Sequence, residues 1–234
     1  MTPEFTTGQI RPIECAKEAW SLIKDEYWML FGVSLVGILI AGVSMYVLMG
    51  PMLCGIFICF FKRIDGGKVE FDDLWLGFKY FGRSLLLTIV MVVPIVIYFV
   101  AVFTTFYAPL IMQAVGGNRV SDREIFTTFL TAIAVDLVIA VVMVCVHSLL
   151  MFAFPLIVDR GLSSADAIKL SARAALKNLG GIGGLVGVNF VLALGGEALC
   201  GVGLYFVMPV ILATNLVAYR KVFPSPRTAY SELA

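Results

Sequence analysis

Charge is what this sequence has least of. Only 14% of its 234 residues are Asp, Glu, Lys or Arg, while 60% are hydrophobic; soluble domains carry about a quarter charged residues. A chain of this composition cannot hide its apolar surface in a water-soluble core of this size. The net charge is +1, so the concentrated excess of Lys and Arg on which a nucleic-acid surface depends is missing, and no nucleic-acid partner is expected. Histidine occurs once, which leaves no His-rich metal site and no His-Glu-x-x-His helix. The five cysteines are scattered, four of them inside apolar stretches (Cys54, Cys59, Cys145, Cys200). None forms a Cys-x-x-Cys pair, so neither a zinc site nor a disulfide framework is implied. A Gly-x-Ser-x-Gly elbow, a Gly-Lys-Ser/Thr phosphate loop and an Asn-x-Ser/Thr sequon are also missing. Asp72 and Asp73 are adjacent, so on a helix they point apart and make no catalytic pair. No catalytic residue, cofactor or metal is expected.

What is present is a series of apolar runs: 27–61, 84–115, 125–158 (interrupted by Asp136 and His147) and 182–219 (interrupted by Glu197). A hydrocarbon core roughly 30 Å thick takes about 20 apolar residues in a helix to cross. Each run suffices for one crossing and some for two. The expected fold is therefore an all-α, polytopic transmembrane helix bundle. Residues 1–26 mix charged and apolar positions and lack the basic start and short apolar run of a cleavable signal peptide. They read as a cytoplasmic segment with an amphipathic helix, followed by one transmembrane domain over 27–222 and a cytoplasmic tail over 223–234.

Lys and Arg sort into four groups. Arg11, Lys17 and Lys24 precede the first run; Lys62, Arg63, Lys68, Lys79 and Arg83 fill the first long connection. Arg160, Lys169, Arg173 and Lys177 fill the second, and Arg220, Lys221 and Arg227 follow the last run; only Arg119 and Arg123 lie elsewhere. Cationic residues are held on the cytoplasmic side, so both termini are expected inside with an even number of crossings. Six fit best, with the first two sharing 27–61 and turning between Gly42 and Pro51. As one helix that run would be about 52 Å long at 1.5 Å per residue. Five crossings with the N-terminus outside is the alternative, and it puts Arg11, Lys17 and Lys24 on the wrong side.

The middle of the chain has the look of a parallel duplication, at the offset that separates Arg63 from Arg160. In each block a basic end is followed by a Gly-containing turn, an amphipathic segment and a new span. Duplication and convergence on a simple plan both account for it. In the first connection Asp72 or Asp73 caps a helix with Phe71, Leu74, Trp75, Phe78 and Phe81 at helical spacing. In the second, Ser163 and Asp166 read as a capping box. There Ile168, Ala172, Ala175, Leu176 and Leu179 line one face, and Lys169, Arg173 and Lys177 form a stripe at four-residue steps. A third such helix, from about 12 to 26, has Ile13, Ala16, Trp20 and Ile23 on its apolar face. All three suit the membrane interface, with apolar faces in the acyl boundary. The stripe is a candidate contact for anionic lipid; the ordinary cationic bias of inner loops also explains it.

Asp136 and His147, eleven residues apart on the fourth span, project from nearly the same face about 16 Å apart along the axis. Ionisable groups inside a membrane are functional-site candidates by default. With Asn189 they form the candidate intramembrane polar site, the plainer account being single inter-helix hydrogen bonds. Asn189 and Asn215 can pair across helices, and Glu197 suits a solvated turn. The overlapping Gly180-x-x-x-Gly184 and Gly183-x-x-x-Gly187 spacings point to close helix packing, within the chain or in a homodimer. Pro51, Pro94, Pro109, Pro155 and Pro209 lie where they kink or break spans.

Three stretches carry a family resemblance: Arg63-Ile-Asp-Gly-Gly-Lys-Val-Glu-Phe-Asp-Asp-Leu-Trp-Leu-Gly-Phe, Phe154-Pro-Leu-Ile-Val-Asp-Arg-Gly-Leu-Ser-Ser-Ala-Asp-Ala-Ile-Lys-Leu-Ser and Cys200-Gly-Val-Gly-Leu-Tyr-Phe-Val-Met-Pro. They resemble a group of uncharacterised bacterial multi-pass integral membrane proteins similar to the membrane domain fused to some glycerophosphodiester phosphodiesterases. The resemblance implies a helical bundle of about six spans in a bacterial inner membrane and transfers no catalytic residue. Two functions follow as expectations: a non-enzymatic module that organises lipid or a partner protein, or a small transporter or permease using the polar intramembrane site.

Overall fold

The computed structural model describes residues 5–116, 121–198 and 201–224. Arg119, Cys200 and Arg227 lie outside them. Among the described residues the chain is all-α, without a strand, as runs of apolar residues require when only helices satisfy their own backbone in lipid. Among the described residues, five helical stretches are long and apolar enough to cross a membrane: Pro12–Val43, Phe71–Met112, Arg123–Arg160, Leu179–Glu197 and Val202–Val222.

In chain order, α1 (Pro12–Ile23) passes through a 3-10 turn (Lys24–Glu26) into α2 (Tyr27–Val43), which is followed by α3 (Met49–Ile64) and a 3-10 helix (Phe71–Tyr80). Then come α4 (Phe81–Val102), a π turn (Phe103–Tyr107), α5 (Ala108–Gly116), α6 (Asp122–Leu150), α7 (Ala153–Arg160), α8 (Ser164–Lys177), α9 (Leu179–Glu197) and α10 (Val202–Val222). The chain divides into two compact units, one built from 5–88 with 148–224 and the other from Ile89–His147.

The count of five rather than six has a local cause. The run over 27–61 does break into two arms, α2 and α3, with the turn between Val43 and Met49. The second arm, however, has only 16 residues, about 24 Å at 1.5 Å per residue. The turn itself is made by Ser44, whose hydroxyl donates to the Ala41 carbonyl (3.0 Å) and accepts from the Leu48 amide (3.1 Å). Met45 and Tyr46 take left-handed conformations there, with φ of 50° and 65°, an uncommon backbone for residues with a Cβ.

In the larger unit α3 is the centre of the core. Its residues from Gly50 to Phe61 are nearly all buried, covered by α2, the 3-10 helix and α7. At its basic end Phe61, Phe152, Tyr219 and Phe223 are all fully buried, with ring centroids 5.1–6.0 Å apart where they meet. The 3-10 helix approaches α3 backbone to backbone. A Cβ on Gly77 would fall 2.0 Å from the Pro51 carbonyl oxygen, and one on Gly55 would fall 2.0 Å from that of Leu74.

Both connections follow one plan. Each leaves its helix through a left-handed glycine, Gly66 (φ 88°) or Gly161 (φ 62°), a conformation open to glycine without a Cβ penalty. Each then lays a helix back on the preceding one. The two helices differ in kind, one 3-10 over 10 residues and the other α over 14.

Each of the three amphipathic helices buries one large side chain among small ones and leaves other bulky ones exposed. The packed positions are Cys15, Ala19 and Ile23 on α1, Leu74 and Gly77 on the 3-10 helix, and Ser164, Ala167, Leu170, Ser171, Ala174 and Ala175 on α8. Exposed on the same helices are Ile13 and Trp20, then Trp75 and Phe78 with Phe81 three residues on at the start of α4, then Leu176 with Leu179 at the start of α9. Three residues per turn is the 3-10 period, and it gathers the aromatic residues into a ridge with Trp75 stacked on Phe78 at 6.2 Å.

Candidate functional site

Among the described residues, the helix ends that carry Lys62, Arg63, Arg160, Arg220 and Lys221 converge at one end of the larger unit. Arg63 donates from Nε to the Leu22 carbonyl (2.8 Å) and pairs with Asp25 (3.4 Å) and Glu26 (3.7 Å). Lys62 pairs with Asp73 (3.0 Å) and Lys221 with Glu18 (2.8 Å). Arg83 donates to the Gly161 carbonyl (3.1 Å). The basic ends of α3, α7 and α10 and the entry to α2 therefore form a single charged collar.

Within the collar lies a cluster that sequence reasoning missed. The Asp159 side chain, 2% exposed, accepts from the Tyr219 hydroxyl (2.7 Å) and from Arg220 Nη1 (2.9 Å). Arg220 Nη2 reaches Asp65 at 2.8 Å, and its guanidinium lies 4.4 Å from the centroid of the Phe61 ring. Burial pushes the Asp65 carboxyl above the usual carboxylate range, opposed by the Arg220 guanidinium and reinforced by Asp159. A raised folded value means that this group's contribution to stability is full below its unfolded pKa and is lost as pH rises through the folded one. Acid therefore does not unfold the protein through Asp65. No spacing in the sequence marks this cluster, because its members come from three helix ends far apart in the chain.

Beside the collar, α8 forms the wall of a polar cavity. Ser163 caps the helix: its hydroxyl donates to Asp166 Oδ2 (2.6 Å) and accepts from the Asp166 amide (3.3 Å). The Asp166 carboxylate thus takes the Ser163 hydroxyl, where the sequence reading had it satisfying an amide. Inward, Ser171 stitches the break between α6 and α7, donating to the Leu149 carbonyl (2.7 Å) and accepting from the Phe152 amide (3.2 Å). Asp166, Lys169 and Arg173, all exposed, fall at i, i+3 and i+7, with the buried Leu170 at i+4 beside them along the α-helix. With Arg160 and Leu162 they line a cavity of about 280 Å³. Arg160 is seated over the Phe223 ring, 5.0 Å from its centroid. Lys169 and Arg173 of the predicted stripe are brought together in this cavity; Lys177 is exposed one turn further on and is not part of its lining.

The intramembrane candidates each take a different partner. Asp136 Oδ1 lies 3.4 Å from the Thr105 hydroxyl, which stands in the π turn and donates to the Ala101 carbonyl (2.7 Å). His147 Nδ1 donates to the Met143 carbonyl, one turn back on its own helix (2.8 Å). Asn189 Nδ2 donates to Asn215 Oδ1 (2.8 Å), joining α9 to α10, a contact typically worth about 0.6 kcal/mol in a membrane. Asp136 and His147 belong to the smaller unit and Asn189 to the larger. Among the described residues no group of three or more His, Cys, Asp or Glu is placed to hold a metal ion.

Of the four glycines singled out on α9, Gly184 lies against the Pro12 ring, where a Cβ would meet Cγ at 2.5 Å. A Cβ on Gly180, Gly183 or Gly187 would meet nothing within 4 Å. Gly181, their neighbour, is the second close approach, 2.5 Å from Ile10 Cβ on the same criterion. Compared with protein-family models, curated proteins and solved structures, the chain matches none.

Proposed function

We propose that this chain is a non-enzymatic integral membrane module of a bacterial inner membrane that holds anionic lipid at its cytoplasmic face. The carrying observation is the α8 cavity, whose lining includes Arg160, Lys169 and Arg173 and one carboxylate, Asp166. The same helix bears Leu176, 55% exposed, and Leu179 is exposed just beyond it at the start of α9. Cations beside exposed leucines are what a helix in the head-group layer of an anionic membrane presents. The aromatic ridge of Trp75, Phe78 and Phe81 suits the same layer, where amphipathic rings anchor proteins. The shared collar of cationic helix ends supports a cytoplasmic side for that face and for both termini. The bacterial membrane rests on the resemblance of the three stretches given above.

Each Lys or Arg near an anionic surface is worth about 1 kcal/mol. The variant Lys169→Gln/Arg173→Gln is therefore expected to retain roughly thirtyfold less anionic phospholipid, for a loss of about 2 kcal/mol. Native mass spectrometry of the protein taken from its membrane in mild detergent reads this directly. Undiminished lipid in the double variant sinks the proposal. A stoichiometric protein retained in place of lipid moves the module toward partner organisation.

A second reading, a small permease, has its own observation. Asp136 faces Thr105 in the π turn, and π turns within helices recur at functional sites. On this reading Asp136→Leu abolishes solute uptake into proteoliposomes and leaves lipid retention unchanged. Uptake equal to that of the parent chain removes the permease reading.

A further inference from the structure

We infer that the α8 cavity selects a phosphodiester head group bearing its own hydroxyl, of the glycerol or inositol type, rather than negative charge in general. The inference rests on the anionic-lipid reading above and concerns the chemistry of the same cavity.

A site built for phosphate alone is best lined by donors only, because an ionised carboxylate is an acceptor with nothing to offer a phosphate oxygen. Here Asp166 stands among Arg160, Lys169 and Arg173. It also lies on the same face of α8 as Lys169 and Arg173, so a ligand held by those two cations meets the carboxylate as well. The Ser163 hydroxyl holds one of its oxygens at 2.6 Å, which fixes the carboxylate in place. Such a group repels a bare phosphomonoester and attracts a ligand that brings a donor.

Two kinds of head group bring one. The ethanolamine head group does so as a zwitterion, with no net negative charge for the cations, and the serine head group adds a carboxylate that Asp166 repels. A polyol phosphodiester carries one negative charge for the cations and hydroxyls for Asp166. Leu162 and Leu170, the apolar part of the lining, suit the carbon skeleton of such a polyol. A hydrogen bond to a charged group is among the stronger kinds in proteins, so the expected discrimination is about tenfold or more.

The test uses the full chain in mild detergent, titrated with phosphatidylglycerol, phosphatidic acid, phosphatidylethanolamine or inorganic phosphate and read by native mass spectrometry. The parent chain is expected to retain phosphatidylglycerol about tenfold better than phosphatidic acid, and phosphatidylethanolamine least. Asp166→Ala is expected to erase the difference between the two anionic lipids, and Asp166→Asn, which keeps an acceptor oxygen and the Ser163 contact, to preserve part of it. Thermal unfolding of both variants checks that they remain folded. Equal or better retention of phosphatidic acid by the parent chain overturns the inference while the anionic-lipid reading stands. Displacement of phosphatidylglycerol by inorganic phosphate at matched concentration overturns it in favour of a soluble ligand. Retention of no anionic lipid at all overturns the proposed function itself.

Discussion

Gly77→Ala is expected to cost the larger unit its fold, while Gly183→Ala leaves it intact. Both changes add one methyl group to a helix. At Gly77 the new Cβ would lie 2.0 Å from the Pro51 carbonyl oxygen and 2.4 Å from the Gly55 amide nitrogen, backbone atoms that cannot swing aside. Overpacking of this kind costs about 1–3 kcal/mol where side chains can yield. Where only backbone stands in the way, the 3-10 helix must lift off α3, and the loss exceeds that range. At Gly183 nothing lies within 4 Å, and alanine there gains the roughly 0.5–1 kcal/mol by which it outranks glycine in a helix. Thermal unfolding of the purified variants in detergent, with the monodisperse yield, separates the two. If both variants unfold like the parent, the close approach of α3 and the 3-10 helix is not what holds this unit together.

Arg220→Leu is the second large effect. It leaves the Asp159 carboxylate, 2% exposed, with the Tyr219 hydroxyl in place of a charged partner. Breaking a buried pair from one side costs about 3–5 kcal/mol, because a charge is left without compensation, whereas removing both partners is far milder. The double variant Asp159→Leu/Arg220→Leu is therefore expected to recover much of the stability lost in the single one. The coupling is read from thermal unfolding of the parent, both single variants and the double. A double variant as unstable as the two single losses added together means that the pair does not act as a unit.

These two predictions fall on residues that the sequence does not single out, and the reason is physical. The glycines on α9 attract notice because they recur at four-residue spacing. Gly55 and Gly77 are separated by a turn and by a change of helix type, and only the contact of their helices makes either one necessary. In the same way Asp159 sits between Val158 and Arg160 with nothing to mark it. Its value comes from Arg220, brought in from the end of α10.

The amphipathic helices show a related limit. Periodicity finds an apolar face but not which residues bury it. On α8 the pattern runs through Ile168, Ala172, Ala175, Leu176 and Leu179; Ala175 is buried, Leu176 and Leu179 are exposed, and Ala167, Leu170, Ser171 and Ala174 join Ala175 against the protein. Small side chains let helices approach closely, so alanines and Ser171 take most of the protein contact around Leu170, and Leu176 is left exposed. On the 3-10 helix the shorter period also regroups the aromatics into a row that a 3.6-residue reading does not draw.

By itself the sequence determined the class of molecule. Apolar runs set against a fixed bilayer thickness make helices, and the sorting of Lys and Arg gathers the ends of α3, α7 and α10 into one group. Both depend on composition and short spacing alone. The α8 stripe was legible for the same reason, since Lys169 and Arg173 lie one turn apart. The cavity was not: it needs Arg160 and Leu162 as well, delivered by the left-handed turn at Gly161, and Phe223 from the far end of the chain beneath Arg160. Only the tertiary structure decided which charges are buried in pairs, which glycines touch backbone and which cations share a cavity, because each depends on segments that meet in space without being near in sequence.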